Sequence, residues 1–460
     1  MLIEGRKALV LGAGRSGIAS AGFLAARGAT VALHDRKPIA EWPDSAAALK
    51  STLGVGLLSG DIPSWLLDQI DLVVISPGVP TNTIPARYVD RKDGEVIGEV
   101  ELAYRFMRGR IVGITGSNGK TTTTSLVGAI LKDAGFKTYV GGNIGNPLLD
   151  LAESTDDNSW TVAELSSYQL ETIKDLHSNV AICLNVTPNH LDRYDSFRDY
   201  ALAKHRLFMN QTADDVAILN ADDDITAEWA AGLKANTVLF SVRQELDEGI
   251  FLRGDEIVCR ANGREKVMTS RDKILLRGLH NVENVLAAVA AGLACGASPD
   301  SMRETIASFH GVEHRLEFVA EIAGIIFYND SKATSVDAAV KALEAMAEFS
   351  GKTILILGGR GKNAPYAPLA SLLESTVRKV ILIGEDAVNI RDQIKGWAET
   401  ENADSLDDAV AKAFASAETG DAVLLSPACA SFDMFQSFVE RGTRFKESVA
   451  SLGLSVAQKV

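Results

Sequence analysis

A short polar loop between a predicted strand and a predicted helix carries residue types that bind phosphate. The segment TGSNGKTT (115–122) follows an apolar run and precedes a helical pattern. The N–H groups of such a loop and the positive end of the helix dipole attract phosphate. Lys120 is placed to reach the β- and γ-phosphates, and the Thr121 hydroxyl suits Mg²⁺. The match to GxxxxGK(S/T) is imperfect, because Ile114 stands where the first glycine would fall, but the context predicts an ATP site.

Two turns at strand ends predict a second ligand site nearer the N-terminus. Gly12–Gly17 (GAGRSG) follows a strand and opens a helix, and Asp35 ends the next strand. In this dinucleotide-type arrangement Asp35 accepts a hydrogen bond from a sugar hydroxyl or a base. The ligand could be NAD, FAD or another diphosphate such as a UDP-sugar, or the turn could be purely structural. The turn 76–80 (SPGVP) also follows a strand, at an edge where open α/β sheets bind ligands, although a rigid surface turn fits it equally well.

Three polar residues near other strand ends are candidate ligands. Glu164 ends an apolar strand, and an acidic residue there commonly holds Mg²⁺ beside a phosphate loop, although an unrelated exposed Glu is the alternative. His190 follows another apolar strand and is either structural or at the substrate edge. Lys204 lies in a predicted helix with His205 and Arg206, and spacing alone describes these three as a solvated basic face.

Strand-like runs alternate with amphipathic helical stretches along the chain, which predicts parallel sheets covered by helices. The predicted strands are 7–11, 30–34, 72–75, 111–115, 160–165, 179–186, 216–220, 237–242, 325–330, 353–359, 379–384 and 422–426, and the predicted helices include 17–27, 121–134 and 197–210. They form three series, and hence an α/β protein of three domains. We place the domains at 1–98 (Rossmann-like), 99–311 (a central P-loop ATPase type) and 312–460 (Rossmann-like).

Composition narrows the function classes. The 460 residues carry a net charge of −14, which argues against nucleic acid or an anionic membrane surface as the partner. The four cysteines form no CxxC, so we expect buried thiols in a reducing cytosol rather than disulfides or a zinc site. The chain opens on a strand rather than a signal peptide, and no run reaches the ~20 apolar residues of a membrane span. We therefore expect a cytoplasmic protein.

Seven segments contain polar and charged residues at fixed places: TGSNGKTTT, ELSSYQLE, NVTPNHLDRY, GLHNVENVLAA, EHRLE, YNDSKATS and SPACASFDMF. Together these motifs resemble the Mur ligase family. With the N-terminal turns, the resemblance covers essentially the whole chain. The last two motifs, followed by Phe438 and the pair RG (441–442), look most like the members that add D-glutamate. The resemblance implies three α/β domains around a cleft and an enzyme of peptidoglycan precursor synthesis, and so of cell-wall biogenesis, cell shape and cell division.

The resemblance also implies a role for each matching residue. ATP is expected at Gly116, Ser117, Asn118, Gly119, Lys120, Thr121, Thr122, Asn281, Arg315 and Asp330. The UDP-linked substrate is expected at Gly14, Arg15, Ser16, Gly17, Asp35, Arg36, Ser76, Pro77, Gly78 and Asn143. D-glutamate is expected at Lys332, Thr334, Lys362, Ser431 and Phe438. The catalytic residues would be Lys120, His190 and Lys204, and the ligands of two Mg²⁺ ions would be Thr121, Glu164, His190 and Lys204, the last carboxylated on its amine.

The implied reaction joins D-glutamate to UDP-N-acetylmuramoyl-L-alanine with ATP, through an acyl phosphate. An L-alanine-adding member of the family or a folylpolyglutamate synthase is the nearest alternative. An NAD-dependent oxidoreductase would use the Gly12–Gly17 turn but leaves the GKTT loop unexplained, and a non-catalytic nucleotide-binding regulator is a third possibility. We expect a monomer whose partners are small molecules.

Overall fold

Three β-sheets covered by helices make up the described chain. The computed structural model describes residues 2–85, 88, 94–143, 146–188, 193–276, 278–346, 351–361 and 364–457. Residues 1–274 and 280–307 form one compact unit, which holds the first two sheets, and residues 275–279 and 308–460 form a second unit, which holds the third. The predicted α/β class with three sheet systems is confirmed; the boundaries at 98 and 311 stay predictions.

The first sheet is parallel throughout, in the order β3-β2-β1-β4-β5. Its strands are β1 (Lys7–Leu11), β2 (Thr30–Asp35), β3 (Gly56–Ser59), β4 (Leu72–Ile75) and β5 (Glu95–Gly98). The central strands β1 and β4 are apolar and buried, as expected for strands covered on both faces. Leu11 pairs with both His34 and Ile75, so the turn after β1 and the turn after β4 start side by side.

The second sheet has the order β14-β13-β12-β11-β10-β9-β6-β8-β7. Its strands are β6 (Arg110–Thr115), β7 (Thr138–Gly142), β8 (Trp160–Glu164), β9 (Val180–Cys183), β10 (Val216–Asn220), β11 (Asn236–Ser241), β12 (Gly249–Arg253), β13 (Glu256–Ala261) and β14 (Arg264–Ser270). The sheet is parallel from β7 to β12, and β13 and β14 extend it antiparallel. Ile114 pairs with Glu164, so the phosphate loop and the tip of β8 share one edge.

The third sheet has the order β15-β16-β20-β17-β18-β19. Its strands are β15 (Glu317–Ile322), β16 (Ile325–Asn329), β17 (Thr353–Gly358), β18 (Val377–Ile383), β19 (Glu399–Asn402) and β20 (Ala422–Leu425). Only the β15–β16 pair is antiparallel within the described sheet. The carboxyl ends of β16 and β20 lie next to each other, and they lead into the segments that carry Lys332 and Ser431.

Helices cover these sheets and set the position of the polar segments. The α-helices are α1 (Arg15–Ala25), α2 (Asp44–Leu53), α3 (Ser64–Leu67), α4 (Glu99–Tyr104), α5 (Lys120–Asp133), α6 (Leu148–Leu151), α7 (Ser167–Leu170), α8 (Phe197–His205), α9 (Asp224–Trp229), α10 (Leu279–Cys295), α11 (Pro299–Ser308), α12 (Val336–Met346), α13 (Ala370–Thr376), α14 (Ala387–Ile394), α15 (Leu406–Ser416) and α16 (Phe438–Ala457). A capping box between Ser166 and Gln169 starts α7, and the Ser196 hydroxyl caps α8. No helix of the described residues is both long and apolar enough to cross a membrane.

Candidate nucleotide and substrate site

The phosphate loop connects β6 to α5 through two glycines with positive φ. Gly116 has φ 150° and Gly119 has φ 82°, and a Cβ on Gly119 would overlap the Asn284 side chain. Both conformation and space therefore require glycine at position 119. The Lys120 amine folds back on the loop and donates to the carbonyls of Gly116 (2.8 Å) and Ser117 (2.9 Å). The first N–H groups of α5 have no acceptor inside the helix, which suits an anion at this end.

The segment after β9 holds the other side of this loop. Ser117 N donates to the Asn185 carbonyl (2.9 Å), and Asn118 N donates to the Asn185 side chain (2.8 Å). The Ser117 hydroxyl donates to the Thr187 carbonyl and also lies 2.9 Å from the Tyr200 hydroxyl. Two loop amides are thus already bonded to protein, so phosphate would rely on the remaining ones.

Helix α10 supports the loop from a third direction. Asn284 accepts from the Thr123 hydroxyl (3.2 Å) and donates to the Asn281 side chain (3.1 Å). The structure thus brings Asn281, a predicted ATP residue, into a hydrogen-bonded chain with α5.

Glu164 has the environment of a metal ligand. Its side chain is 1% exposed, so the alternative of an unrelated exposed Glu is wrong. One carboxylate oxygen accepts from Asn143 Nδ2 at 2.7 Å, and the other has no hydrogen-bond partner among the described residues. A buried carboxylate oxygen without a donor is costly unless something else compensates its charge, and a cation would do so. Thr121, buried in the first turn of α5, suits the same ion; His190 lies outside the described residues.

Lys204 is enclosed beside the phosphate loop. It is 1% exposed, its amine donates to the Gly116 carbonyl (2.9 Å), and the amine lies 4.5 Å from the centre of the Tyr200 ring. Burial, helped by the nearby charge of Lys120, lowers the pKa of Lys204 to about 7. No carboxylate of the described residues forms an ion pair with it.

The expectation of a solvated basic face on this helix was wrong. Besides the buried Lys204, the Arg206 guanidinium donates to the carbonyls of Leu170 and Ile173, and the half-buried His205 ring lies against Trp229. Lys204, His205 and Arg206 therefore pack against neighbouring residues instead of forming a solvated face, whereas Arg198 at the start of α8 is exposed.

The glycine turn Gly12–Gly17 and the turn 76–80 contact each other directly. The Ser76 hydroxyl donates to the Gly12 carbonyl (3.2 Å), and a Cβ on Gly17 would overlap that same carbonyl. Asp35 accepts from Ala13 N (2.9 Å) and Lys37 N (3.1 Å). Burial alone would raise the pKa of Asp35, but these two N–H groups outweigh it and the pKa is lowered. Asp35 therefore fixes the shape of the glycine turn, which sequence reasoning did not foresee.

The remaining predicted substrate residues surround these turns. Arg15 donates to Asn146 at 2.9 Å, which ties the start of α1 to the central domain. Arg36, Gly14 and Gly78 are exposed, and Ser16 and Pro77 are half-buried.

In the second unit, three chain segments carry the predicted D-glutamate residues. The Ser331 hydroxyl donates to the Phe438 carbonyl (2.8 Å), and the neighbouring Lys332 amine lies 6.0 Å from the Phe438 ring centre. Arg441, 1% exposed, donates to Ser331 and to the Cys429 carbonyl, which joins the segment of Lys332 and Thr334 to that of Ser431. Lys362 lies outside the described residues.

Arg315 and Asp330 also lie in this unit. The buried Asp330 carboxylate accepts from Leu316 N (3.2 Å) and the Ser426 hydroxyl (2.9 Å). Burial raises the pKa of Asp330 to about 7. The Asp330 carboxylate thus braces its own loop, and its expected contact with ATP stays a prediction.

Sequence reasoning missed residues that act through others. Tyr200 and Asn284 support the phosphate loop, and Arg193 bonds the turn 76–80. Tyr200 stands four positions before Lys204, and this helical spacing was the available signal.

Comparison with known proteins identifies three family domains in the chain. Residues 6–98 match the MurD-like N-terminal domain of Mur ligases, residues 114–292 the Mur ligase middle domain, and residues 314–429 the Mur ligase glutamate ligase domain.

Similar proteins agree with these matches. The chain is 47% identical to a UDP-N-acetylmuramoylalanine–D-glutamate ligase of Koribacter versatilis and 47% identical to one of Solibacter usitatus, in each case over 98% of this chain and 99% of the relative. Among solved structures, a UDP-N-acetylmuramate–alanine ligase of Thermotoga maritima shares the fold, with a TM-score of 0.58 at 21% identity over 97% of this chain and 99% of that one. By its domains and its relatives, the chain belongs to the Mur ligase family.

Proposed function

We propose that this protein is the ATP-dependent ligase that joins D-glutamate to UDP-N-acetylmuramoyl-L-alanine in peptidoglycan precursor synthesis. The observation that carries the proposal is 47% identity, across nearly the full length of both chains, to ligases named for this reaction. The phosphate loop and the buried acidic residue beside it supply the means to use ATP. We further expect it to act as a monomer in the cytoplasm.

The ATP end of the site is assigned to the central domain. Lys120 and the first N–H groups of α5 would contact the phosphates, with the loop residues Gly116–Thr122 around them. Thr121, Glu164 and a carboxylated Lys204 would hold Mg²⁺, which supplies charge neutralisation for the transferring phosphoryl group. The unpartnered oxygen of Glu164 supports this assignment.

The surroundings of Lys204 support the proposal that it is carboxylated. A neutral lysine amine adds CO₂, forming an N–C bond and releasing one proton, to give a carbamate with two oxygen ligands. Burial and a pKa of about 7 favour the neutral amine. The ammonium group of Lys120 donates to the same carbonyl oxygen as Lys204, so two positive charges there would repel each other. A carbamate instead attracts Lys120 and the metal ion.

The reaction then proceeds in two steps. An oxygen of the L-alanyl carboxylate attacks the γ-phosphorus, the bond to the β-phosphate oxygen breaks, and ADP leaves. The neutral amine of D-glutamate attacks the acyl carbon and forms the C–N bond, the bond from that carbon to the phosphate oxygen breaks, and the proton lost from the amine leaves with inorganic phosphate as HPO₄²⁻. The protein's contribution is to position the reactants and neutralise charge. We assign His190 to the metal or the substrate rather than to general-base catalysis.

In this proposal, residues near the start of the sequence bind the UDP-linked substrate, and residues of the last third of the sequence bind D-glutamate. The UDP-linked substrate binds Gly14–Gly17, Asp35, Arg36, the turn Ser76–Gly78 and Asn143, while Asn281, Arg315 and Asp330 contact ATP. D-glutamate binds Lys332, Thr334, Lys362, Ser431 and Phe438. Two ammonium groups suit an amino acid with two carboxylates.

Phosphate release from ATP and Mg²⁺ in the presence of UDP-N-acetylmuramoyl-L-alanine tests the proposal. We expect turnover with D-glutamate and none with L-glutamate, L-alanine or no amino acid. Turnover with L-alanine would assign a different member of the family. If folded protein releases no phosphate with any of these amino acids, the D-glutamate ligase assignment is refuted and a folate-type or regulatory role is favoured.

A further inference from the structure

The side chain of Arg193, in the central domain, forms hydrogen bonds with backbone carbonyl groups of the turn 76–80. Its guanidinium donates to the Pro77 carbonyl at 2.7 Å and, over a longer distance of 3.4 Å, to the Val79 carbonyl. The same group pairs with Glu171 at 3.3 Å and lies 3.9 Å from the centre of the Tyr168 ring. The Arg193 side chain is 15% exposed, so these contacts are shielded from water.

Only arginine satisfies this set of partners. Its planar fork of N–H donors reaches two carbonyls and a carboxylate at once while its face stacks on an aromatic ring. A lysine amine would keep the charge but lose the stacking and the fixed geometry. Hydrogen bonds from a charged donor in a shielded place are also stronger than neutral ones.

The contacts of Arg193 continue into the glycine turn. Val79 N donates to the Ser76 carbonyl (2.9 Å), and the Ser76 hydroxyl donates to the Gly12 carbonyl (3.2 Å). The two turns are closely packed, because a Cβ added to Gly12 would lie 2.9 Å from the Cβ of Ser76 and 3.1 Å from a methyl group of Val79. A shift of Pro77 and Val79 would therefore move both turns.

We propose that Arg193 is a positioning residue for the UDP-linked substrate, one that sets both N-terminal turns relative to the central sheet. This inference rests on the proposed function. It predicts different effects on the binding of two substrates. Loss of Arg193 weakens binding of the UDP-linked substrate. ATP, which is assigned to the phosphate loop before α5, binds as before.

The test compares R193A and R193K with the parent protein. We measure kcat, the KM for each of the three substrates and the thermal midpoint, and by calorimetry the binding of UDP-N-acetylmuramoyl-L-alanine alone and of ATP alone. For R193A we expect the KM and Kd of the UDP-linked substrate to rise about tenfold, as for a lost charge-assisted hydrogen bond, and those of ATP to change less than about twofold. The KM and Kd of R193K for the UDP-linked substrate should lie between those of the parent and those of R193A. Added guanidinium ion should partly restore the affinity of R193A for this substrate.

The matched control is E171Q. It weakens a partner of Arg193 but leaves both bonds to the turn carbonyls, so the KM for the UDP-linked substrate should stay within about twofold. An unchanged Kd for that substrate in folded R193A or R193K, or an equal rise for ATP, would overturn the inference. Parent protein that binds the UDP-linked substrate without turnover would instead refute the proposed function, and the calorimetric comparison would still decide the role of Arg193.

Discussion

Two lysine amines donate to one carbonyl oxygen in the phosphate loop, that of Gly116. One of them, Lys204, is enclosed and carries a pKa lowered to about 7, first by burial and then by Lys120. Such a pair is unfavourable while both amines are charged. Conversion of the enclosed amine to a carbamate changes the repulsion into attraction.

We therefore predict that K204A and K204R both lose at least about a hundredfold in turnover, because neither can form the carbamate that we propose as a metal ligand. Short carboxylic acids such as acetate or formate should partly restore K204A, since they can place a carboxylate in the vacated space. Phosphate release in a titration of each acid measures this. The exposed Lys132 provides the control, and K132A should keep full activity. Full activity in K204R would contradict the role.

At Glu164, the unpartnered oxygen predicts a dependence on metal concentration. E164Q keeps the size and the bond with Asn143 but removes the charge, so half-maximal turnover should need at least about tenfold more Mg²⁺. A Mg²⁺ titration of initial rates checks this. E153Q, at an exposed site paired with Arg27, is the control and should titrate like the parent.

At this scale the sequence predicted the residue types better than their surroundings. The loop 115–122 was identified from local spacing, because backbone N–H groups and a helix start are local features. The burial of Lys204 was not predicted from spacing, because it depends on loop residues that lie 88 positions away. The bonds of Asp35 to its own turn were missed for a similar reason, since Ala13 lies 22 positions away.

Helix α4 carries two buried glutamates in different electrostatic situations. Glu101 accepts from the N–H groups of residues 174–176 and pairs with Arg105. Glu99 accepts from Leu149 N at 2.8 Å, and its other oxygen has no hydrogen-bond partner among the described residues. Burial raises the pKa of Glu99 from 4.5 to about 7. Glu101 therefore has several hydrogen-bond donors around its carboxylate, whereas an ionised Glu99 would keep one buried oxygen without a donor.

From this contrast we predict that replacing Glu99 or Glu101 by the neutral glutamine changes the free energy of unfolding in opposite directions. Between pH 4.5 and about 7, Glu99 keeps a proton in the folded protein that it has lost in the unfolded chain. The free energy of unfolding therefore falls as the pH rises through this window. Above about pH 7 the whole destabilisation by the buried charge is present. E99Q should stabilise the protein at pH 8 by on the order of 2 kcal/mol and have little effect at pH 5. E101Q should destabilise it at both. Calorimetric melting of both variants at the two pH values checks this, and a greater gain for E99Q at pH 5 would contradict it.

The elements predicted well are those with an unbroken run of apolar residues. Strands 7–11, 72–75 and 216–220 were predicted with the observed bounds, because buried parallel strands are continuous apolar runs. The edge strands β3 (GLLS) and β19 (ETEN) were missed, since neither is a continuous apolar run and neither is fully buried. The antiparallel extension β12–β14 was missed as well, because its register depends on cross-strand ion pairs such as Arg260–Glu265.

Over the whole molecule, the four cysteines are all free, and three of them are buried. Burial raises the pKa of Cys183 and of Cys295 to about 12, so their reactive thiolate forms are scarce at neutral pH. We predict that a thiol reagent labels at most Cys259 in the native protein, slowly, and all four cysteines after unfolding. Mass spectrometry counts the labels, and C259S is the control that should remain unlabelled. Rapid native labelling of two or more would contradict the burial of these thiols.

At this scale the order of the three sheet systems could be predicted from the sequence, and the domain limits at 98 and 311 stay predictions. Three series of strands predicted three sheets, and the described residues form three sheets. The compact units divide the chain differently, because α4 and the residues after β5 pack the first sheet against the second. Packing between domains depends on side chains distant in sequence, which no local pattern contains.

The overlap of a Cβ at position 17 with the Gly12 carbonyl has a consequence for genetics. Every missense change of a glycine codon introduces a side chain, so codon 17 has no conservative missense allele. In a library of single substitutions expressed in cells that need the enzyme, this position should behave like a stop codon. Codon 54, whose glycine would gain a Cβ in open space and is constrained only by its φ of 68°, should tolerate asparagine.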